Sequence, residues 1–347
     1  MTKKNLADLT LEQLTDYLVD LGLPKYRGIQ VFSWLYRPGI TGFSQMTDLS
    51  KGLRQELSQK ACFSWPQIAA VERSKDGTVK YGFRLEDDNY VEAVLIPEVE
   101  RNTLCISSQV GCAMACGFCL TGTIGFRRNL TPGEIVGQVV RAGDWLLDTN
   151  ENERTISNLV FMGMGEPLAN FTNLLITLEI LTEQRGLDFS ERRITVSTCG
   201  LVPQIIELGH KTKVNLAVSL HSVDDSIRSE LMPINKKYPV AELLEACRKF
   251  PMPKRKRIMF EYILIKDLND SDEDAKFLAR KLMDIPCKIN LLPYNESSDL
   301  TFKRPPDERI DLFQNILWEN GYTVLVRSSR GADISAACGQ LAGKMTS

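Results

Sequence analysis

Three cysteines in one short stretch, Cys112-Ala-Met-Ala-Cys116-Gly-Phe-Cys119, constrain this chain more than any other feature. Thiolates are soft ligands, suited to zinc or to an iron–sulfur cluster. A closed zinc site needs a fourth ligand, usually from a second Cys/His pair nearby. The chain offers only His210 and His221, and no other close cysteine pair. An ordinary four-iron cluster takes four cysteines. Two readings stay open on the spacing alone: a zinc knuckle, or a cluster with one iron left for a ligand that is not protein.

At 347 residues the chain can make one large or two modest domains. Apolar residues at 43% and charged residues at 25% describe a soluble globular protein with a sizeable core. No apolar run reaches the roughly 18 residues of a membrane span, and Met1 to Asp8 lacks the apolar core of a signal peptide. Nine cysteines, an odd number in a long chain, argue against a secreted disulfide scaffold and for a reducing, cytoplasmic setting. A net charge of −2 gives no global pull toward nucleic acid, so any RNA contact must come from local basic patches.

Residues 1–65 read as a small helical unit. Thr10-Leu-Glu-Gln13 fits a capping box ahead of Leu14, Tyr17, Leu18 and Leu21. A second helix is expected over Tyr26–Tyr36, and a third after Asp48 with Leu49, Leu53 and Leu57. The unit is either a packing appendage or a substrate-docking module. Residues 66–100 read as a β-hairpin extension, with Val79, Tyr81, Phe83 and Leu85 alternating with polar residues, a turn at Asp87-Asp-Asn89, and a strand over Tyr90–Ile96. Glu92 lies among apolar strand residues. On a solvated face it is inert; buried, its pKa rises and it can act as a base.

Over 101–347 strand and helix alternate. Strands are expected at Thr103–Val110, Ile156–Met162, Arg193–Thr198, Val214–Leu220, Ile258–Ile265, Lys288–Leu292 and Tyr322–Arg327, most of them continuously apolar as parallel strands covered on both faces are. Thr131-Pro-Gly-Glu134 and Asp270–Asp274 mark helix starts, and Gly186 and Gly321 are placed as C-terminal glycines. About six β/α repeats imply an α/β fold, a full or partial (β/α) barrel. In such barrels chemistry gathers at the C-terminal strand ends. There stand the cysteine motif, Gly163-Met-Gly-Glu166-Pro167, Ser197-Thr-Cys-Gly200, Ser219-Leu-His221-Ser222, Pro293-Tyr-Asn295, and Ser328–Asp333 running on to Cys338-Gly339.

The C-x3-C-x2-C spacing resembles that of the radical S-adenosylmethionine (SAM) enzymes. That resemblance implies a [4Fe–4S] cluster on Cys112, Cys116 and Cys119, whose open iron binds the amino and carboxylate groups of SAM. Gly163 and Gly165 then let backbone approach the ligand. Glu166 can bind its ammonium, and Ser197, Ser219 and Asn295 can hydrogen-bond its ribose or adenine. His221 is either a base or a wall residue. Cys105 and Cys338, taken alone, read as small buried residues, as do Cys62, Cys199, Cys247 and Cys287. The basic clusters are Arg127-Arg128, Arg192-Arg193, Lys254–Arg257, and Arg327 with Arg330. Arg127, Arg128, Arg327 and Arg330 lie near strand-end loops, where they can line a polyanion.

Ile106–Cys112 through Phe118-Cys119-x-Thr-Gly-x-x-Gly125, Gly163-Met-Gly-Glu-Pro-Leu168, Ser219-Leu-His221, Leu231-Met-Pro-Ile-Asn235 and Ala336-Ala-Cys-Gly-Gln-Leu341 together resemble the bacterial dual-specificity RNA adenine carbon-2 methyltransferases. The resemblance spans the whole chain. It implies a partial (β/α)6 radical-SAM barrel, RNA-binding N-terminal helices, and methylation of an adenosine in large-subunit ribosomal RNA and in transfer RNAs. Residue by residue it implies that Cys338 takes a methyl group from one SAM. A second SAM on the cluster yields a 5′-deoxyadenosyl radical that removes a hydrogen from that methyl. The carbon radical adds to carbon 2, and Cys105 releases the product through a transient disulfide with Cys338. Glu92 matches the proton-accepting carboxylate. Gly165, Glu166, Ser197, Ser219, Leu220, His221 and Asn295 match the SAM contacts. The expected partners are ribosomal RNA, transfer RNA and a reductant such as flavodoxin or ferredoxin; a cytoplasmic monomer is expected. Cys199 departs from the Ser-Thr-Ser-Gly form of the family. A sister group methylates carbon 8 with the same cluster and cysteines. The rival classes are a zinc-stabilised RNA-binding protein and a radical-SAM enzyme of small molecules.

Overall fold

The computed structural model describes residues 3–99, 101–149, 155–253, 256–296 and 300–342. Thr10 caps the Leu11–Asp20 helix in the expected capping box with Gln13. The next helix, Tyr26–Leu35, crosses it at Gly28, where a Cβ atom would lie 2.0 Å from Thr15 Oγ1, so only glycine permits this approach. Ser50 caps the third helix, Lys51–Lys60; Leu53 and Leu57 are buried on it, and Leu49 is buried just ahead of it.

These helices sit directly on the α/β body. Asp8 accepts a hydrogen bond from the Gly133 N–H at 2.8 Å, and Asp144 accepts one from the Gly39 N–H at 3.0 Å. Gly186, expected as a helix cap, instead gives room to the N-terminal unit: a Cβ there would be 2.8 Å from the Phe32 ring. The helix before it, Phe171–Thr182, ends at an extended Glu183, so its end needs no left-handed glycine. Gly321 does adopt a left-handed φ of +85° after the Asp307–Glu319 helix.

The expected hairpin is the middle of a larger antiparallel piece whose outer edge is Gln67–Arg73. Gln67–Arg73 pairs with Val79–Arg84, which pairs with Tyr90–Pro97. Tyr90–Pro97 then pairs antiparallel with Asn102–Cys105, so this meander continues the main sheet. From Asn102–Cys105 the sheet runs parallel through Ile156–Phe161, Ile194–Thr198, Asn215–Ser219, Ile258–Leu264, Cys287–Pro293 and Val324–Val326. The order is linear across its ten strands, which makes an open, partial barrel. The expected Thr103–Val110 strand is broken. Its ladder ends at Cys105, and Gln109–Val110 turns away to pair with Arg128–Asn129. That break lets the chain leave the sheet just before the cysteines.

Alternation sets the two faces. Val196, Val218, Phe260, Ile289 and Leu291 are buried among the helices. Ser219, Glu261 and Asn290 are paired in register on neighbouring strands and share the other, concave face. Among the described residues no helix is long and apolar enough to cross a membrane.

Candidate active site

The cysteine loop is shaped by backbone contacts that exclude side chains. Gly111 has φ +72°, and a Cβ on it would lie 1.7 Å from the Gly125 oxygen; that oxygen accepts the Cys112 N–H at 3.2 Å. Gly117 donates to the Leu231 carbonyl at 2.9 Å, tying the loop to the end of the Asp225–Leu231 helix. Beneath it lies an apolar bed of Leu231, Met232, Ile263, Ile265 and Tyr294, on which Met114, Cys116 and Phe118 pack.

The three thiols share one electrostatic field. Burial pushes Cys112 up to about 12, against a lowering by the Met114 N–H, with Glu166 and Cys119 adding to the rise. Burial, then Cys119 and Cys112, push Cys116 up as well. Three thiolates so placed repel one another until a metal neutralises them, and ligation deprotonates them outright. Among the described residues no three donors converge tightly enough for one metal ion. A four-iron cube is larger than one ion and takes its thiolates from a wider set. The donor chemistry therefore fits a cluster held by Cys112, Cys116 and Cys119.

Glu166 stands beside them, buried. Its carboxylate accepts the Leu168 N–H at 2.9 Å and the Cys199 N–H at 2.7 Å, and burial raises its pKa. Gly165, at φ +96°, packs against Gln109, whose Oε1 accepts the Glu166 N–H at 2.8 Å. Cys199, the departure from the family form, thus lies against Glu166, and burial with that carboxylate raises its thiol well above the usual range. Ser197 and Ser219 are half-buried at strand ends. Ser329 donates to Asn295 Oδ1 in the adjoining loop.

His221 is a wall residue. Its Nδ1 accepts the Ile263 N–H at 3.1 Å, its ring meets Phe118 edge-on at 4.7 Å between centroids, and burial with Arg228 nearby lowers its pKa to about 3. A neutral imidazole with Nδ1 already engaged is no base at neutral pH.

Cys105, at the end of its strand, is buried, and burial followed by the charge of Cys338 raises its pKa. Cys338 is reached by solvent, yet protein packs around its thiol. That desolvation, then Glu261, pushes Cys338 up to about 11, while Arg327 pulls it down and Cys119 adds to the rise. Cys338 thus lies within electrostatic reach of both Cys105 and Cys119 of the cluster loop. Leu120 donates to the Gly339 carbonyl at 2.8 Å and Thr121 Oγ1 to the Leu341 carbonyl at 2.6 Å, stitching the C-terminal segment to the short Leu120–Ile124 helix. All nine cysteines are free thiols in this structure.

Glu92 is buried rather than solvated. Its Oε1 lies 3.5 Å from Lys80 Nζ, and its Oε2 accepts the Ala342 N–H at 2.9 Å. Arg128, expected near a polyanion, is tied bidentately to Glu134 and to Asp87. Arg127 donates to Asn89 at 2.8 Å, while Arg327 and Arg330 remain exposed by the mouth. Lys254 and Arg255 lie outside the described residues.

Sequence reasoning missed four polar residues. Arg228 is fully buried and donates to the carbonyls of Leu220, Cys199 and Ser219 and to Asn235 Oδ1, at 2.7 to 3.1 Å. Glu261 accepts from Asn290 at 2.8 Å, and burial lifts its pKa to about 7. Asn290 Oδ1 is buried without a partner among the described residues, the kind of atom a ligand completes. Lys80 is the fourth. A charged residue inside the apolar run Ile258–Leu264 was the available signal for Glu261, the same signal that singled out Glu92.

Comparisons with known proteins agree with this geometry. Residues 4–63 match the family model described as ribosomal RNA large subunit methyltransferase N-terminal domain, and residues 106–279 match the radical SAM superfamily. Members of that superfamily use a [4Fe–4S] cluster and SAM. A dual-specificity RNA methyltransferase RlmN of Desulfotalea psychrophila is 57% identical over 98% of this chain and 95% of its own length. One of Geobacter sulfurreducens is 52% identical over 99% of this chain and 93% of its own. The crystal structure of a radical SAM methyltransferase from Sphaerobacter thermophilus superposes with a TM-score of 0.93 at 44% identity, covering 98% of this chain and 100% of that one. With identity of this degree over 98% or more of its length, the chain belongs to the RlmN family of dual-specificity RNA methyltransferases, within the radical SAM superfamily.

Proposed function

We propose that this protein methylates carbon 2 of an adenosine in large-subunit ribosomal RNA and in transfer RNA. The observation that carries the assignment is that two thiols from distant parts of the chain, Cys105 and Cys338, lie within electrostatic reach of one another, and Cys338 within reach of Cys119 in the cluster loop. Carbon 2 of adenine lies between two ring nitrogens and is electron-poor, as is the SAM methyl group, so direct polar transfer between them is mismatched. Bound at Cys112, Cys116 and Cys119, the cluster and SAM supply radical chemistry instead. The chain's own residues do the rest. Gly165, Glu166, Ser197, Ser219, Leu220, His221 and Asn295 hold SAM, with the apolar bed below excluding water. Cys338 carries the methyl group to the base at the open mouth. Cys105, buried at the strand end, resolves the link between protein and RNA by attack on the Cys338 sulfur. Glu92 accepts the proton that leaves carbon 2.

The electron donor in this assignment is an acidic carrier protein such as flavodoxin or ferredoxin. Exposed Lys236 and Lys237 border a hollow of about 400 Å³ against Ala113, Met114 and Ala115 of the cluster loop, which supports such a partner. The protein is assigned to the cytoplasm on its odd cysteine count in a long chain, which argues against a secreted disulfide scaffold.

The test is mass spectrometry of nucleosides from RNA incubated with anaerobically reconstituted protein, SAM and a reductant. The expected product is 2-methyladenosine, lost in Cys338→Ala and in Cys105→Ala. An 8-methyladenosine product would place the protein with the carbon-8 group. Zinc in place of iron and sulfide, or a Cys338→Ala variant that still methylates, would overturn the assignment.

A further inference from the structure

Lys80 sits inside the protein with only 7% of its surface exposed. An ammonium has three protons to donate, and the structure gives this one three acceptors on three segments. These are Glu72 Oε1 at 3.0 Å, Glu92 Oε1 at 3.5 Å and the Ile334 carbonyl at 2.8 Å. The second oxygen of Glu92 accepts the Ala342 N–H at 2.9 Å. Ile334 and Ala342 stand four residues before and four residues after Cys338. One buried ion pair thus grips the Cys338 loop on both flanks. The register places it beside the chemistry: Glu72 pairs with Lys80, Lys80 with Val94, and Val94 with Cys105, so the lysine and Cys105 face the same side of the sheet.

Gly331, Ser335 and Gly339 all have left-handed φ, at +64°, +51° and +82°. For Ser335 that conformation is strained and persists only because its surroundings enforce it. The other anchors are Asp333 with Ser74 at 2.6 Å and the Gly331 N–H with Asp76 at 3.0 Å on one side, and the bonds of Leu120 and Thr121 on the other. None of these involves Glu92.

We propose that the Lys80–Glu92 pair is a latch on the Cys338 loop, released when Glu92 takes up the proton of carbon 2. The proposal rests on the function assigned above and gives Lys80 the role of a positioning residue. Cys338 serves two partners in turn, the base at the mouth and Cys105 on the strand. The Glu92 carboxylate forms an ion pair with the Lys80 ammonium and accepts the Ala342 N–H, and together with the Ile334 carbonyl on Lys80 these contacts hold the loop in the arrangement seen. The proton leaves carbon 2 for Glu92, with its bonding pair staying in the ring, and the unpaired electron left by radical addition would pass to the oxidised iron–sulfur cluster that Cys112, Cys116 and Cys119 would hold, the one-electron acceptor of this step. The neutral carboxyl then loses its attraction for Lys80 and weakens as an acceptor for Ala342. The loop loosens and Cys338 meets Cys105. The S–S bond forms as the bond from the Cys338 sulfur to the methylene carbon breaks; that carbon keeps the electron pair and takes a proton to become the methyl group. Resolution therefore waits for deprotonation of the base. Groups on the side of Glu92 include Lys80 on the adjacent strand, Glu72 on the strand beyond it and Cys105 on the same face, with the Ser107 hydroxyl on its carbonyl at 2.6 Å.

The test uses cluster-loaded protein without RNA. Diamide-driven formation of the Cys105–Cys338 disulfide is timed by peptide mass spectrometry, and hydrogen exchange is followed over 331–342. Glu92→Gln, Lys80→Met and the double variant should each form the disulfide about tenfold faster than the parent, the scale of one charge-assisted hydrogen bond. The three accelerations should be equal, since either change opens the same latch. The double variant leaves no unpaired charge at this pair, so its loop can be read in a folded protein. Glu72→Gln, which keeps both grips, should form the disulfide at the parent rate. Rates within twofold of the parent, or effects of Lys80→Met and Glu92→Gln that multiply, would sink the latch. A parent enzyme that makes no 2-methyladenosine, yet shows these rates in its variants, would instead sink the assigned function.

Discussion

At the scale of single residues, burial divides the site's ionisable groups by task. His221 is held neutral and works as a wall. Glu261 is lifted from an ordinary 4.5 to about 7. The folded state therefore binds the Glu261 proton more tightly than the unfolded state does. Its contribution to stability is fully present below about pH 4.5 and is lost as pH rises through about 7. A shift of this size corresponds to something on the order of 3 kcal/mol. Glu261→Gln removes the titration. Relative to the parent, the variant is expected to gain melting temperature between pH 5.5 and pH 8, and equal differences at the two pH values would contradict the burial argument.

At the scale of elements, the strand-end loops are held by one cation. Arg228, on the Asp225–Leu231 helix, gathers the carbonyls of Ser219 and Leu220, the carbonyl of Cys199 and the side chain of Asn235. These are the ends of two strands and the turn after the helix, the same loops proposed to hold SAM. Arg228→Met fills similar volume but leaves several buried acceptors unpaired. It should lower stability by roughly 3 kcal/mol and weaken SAM binding, measured by urea unfolding and by calorimetric titration of SAM into cluster-loaded protein. A stable variant with parental SAM affinity would show that the loops hold themselves.

At the scale of the whole molecule, the N-terminal helices and the α/β body share one core. Leu14, Phe32 and Leu53 belong to the same apolar cluster as Leu146, Phe260 and Leu291. Two units joined this way should unfold together. Differential scanning calorimetry should show one cooperative transition, and two well-separated transitions would mean that the contacts at Asp8, Gly39 and Gly186 contribute little. The same packing fixes where the N-terminal unit stands relative to the mouth, which a docking module requires.

What could be read from the sequence was whatever is written locally. The Thr-Leu-Glu-Gln and Thr-Pro-Gly-Glu starts became capped helices, because a cap is made by residues three apart. Each of the seven expected parallel strands has a counterpart in the sheet, the first cut short at Cys105, because continuous apolar runs between helices suit strands covered on both faces. The three-cysteine motif and its glycines carried the cluster chemistry in their spacing, and the resemblance supplied roles for Cys105, Cys338 and Glu92.

Only the tertiary structure decided which distant residues meet. The break after Cys105, the third strand of the meander, and the use of Gly186 for packing depend on partners many residues away, so no local pattern announces them. Lys80 alternates with apolar residues as any solvated strand lysine does; it is buried because the Cys338 segment folds back over it and supplies the Ile334 carbonyl. Arg128 looks like a free cation in the sequence and is spent on Asp87 and Glu134 in the fold. Spacing determines what a short segment can ligate or cap, because those contacts lie within a few residues. The burial of a charge, and so its pKa and its partners, is settled only when the whole chain closes around it.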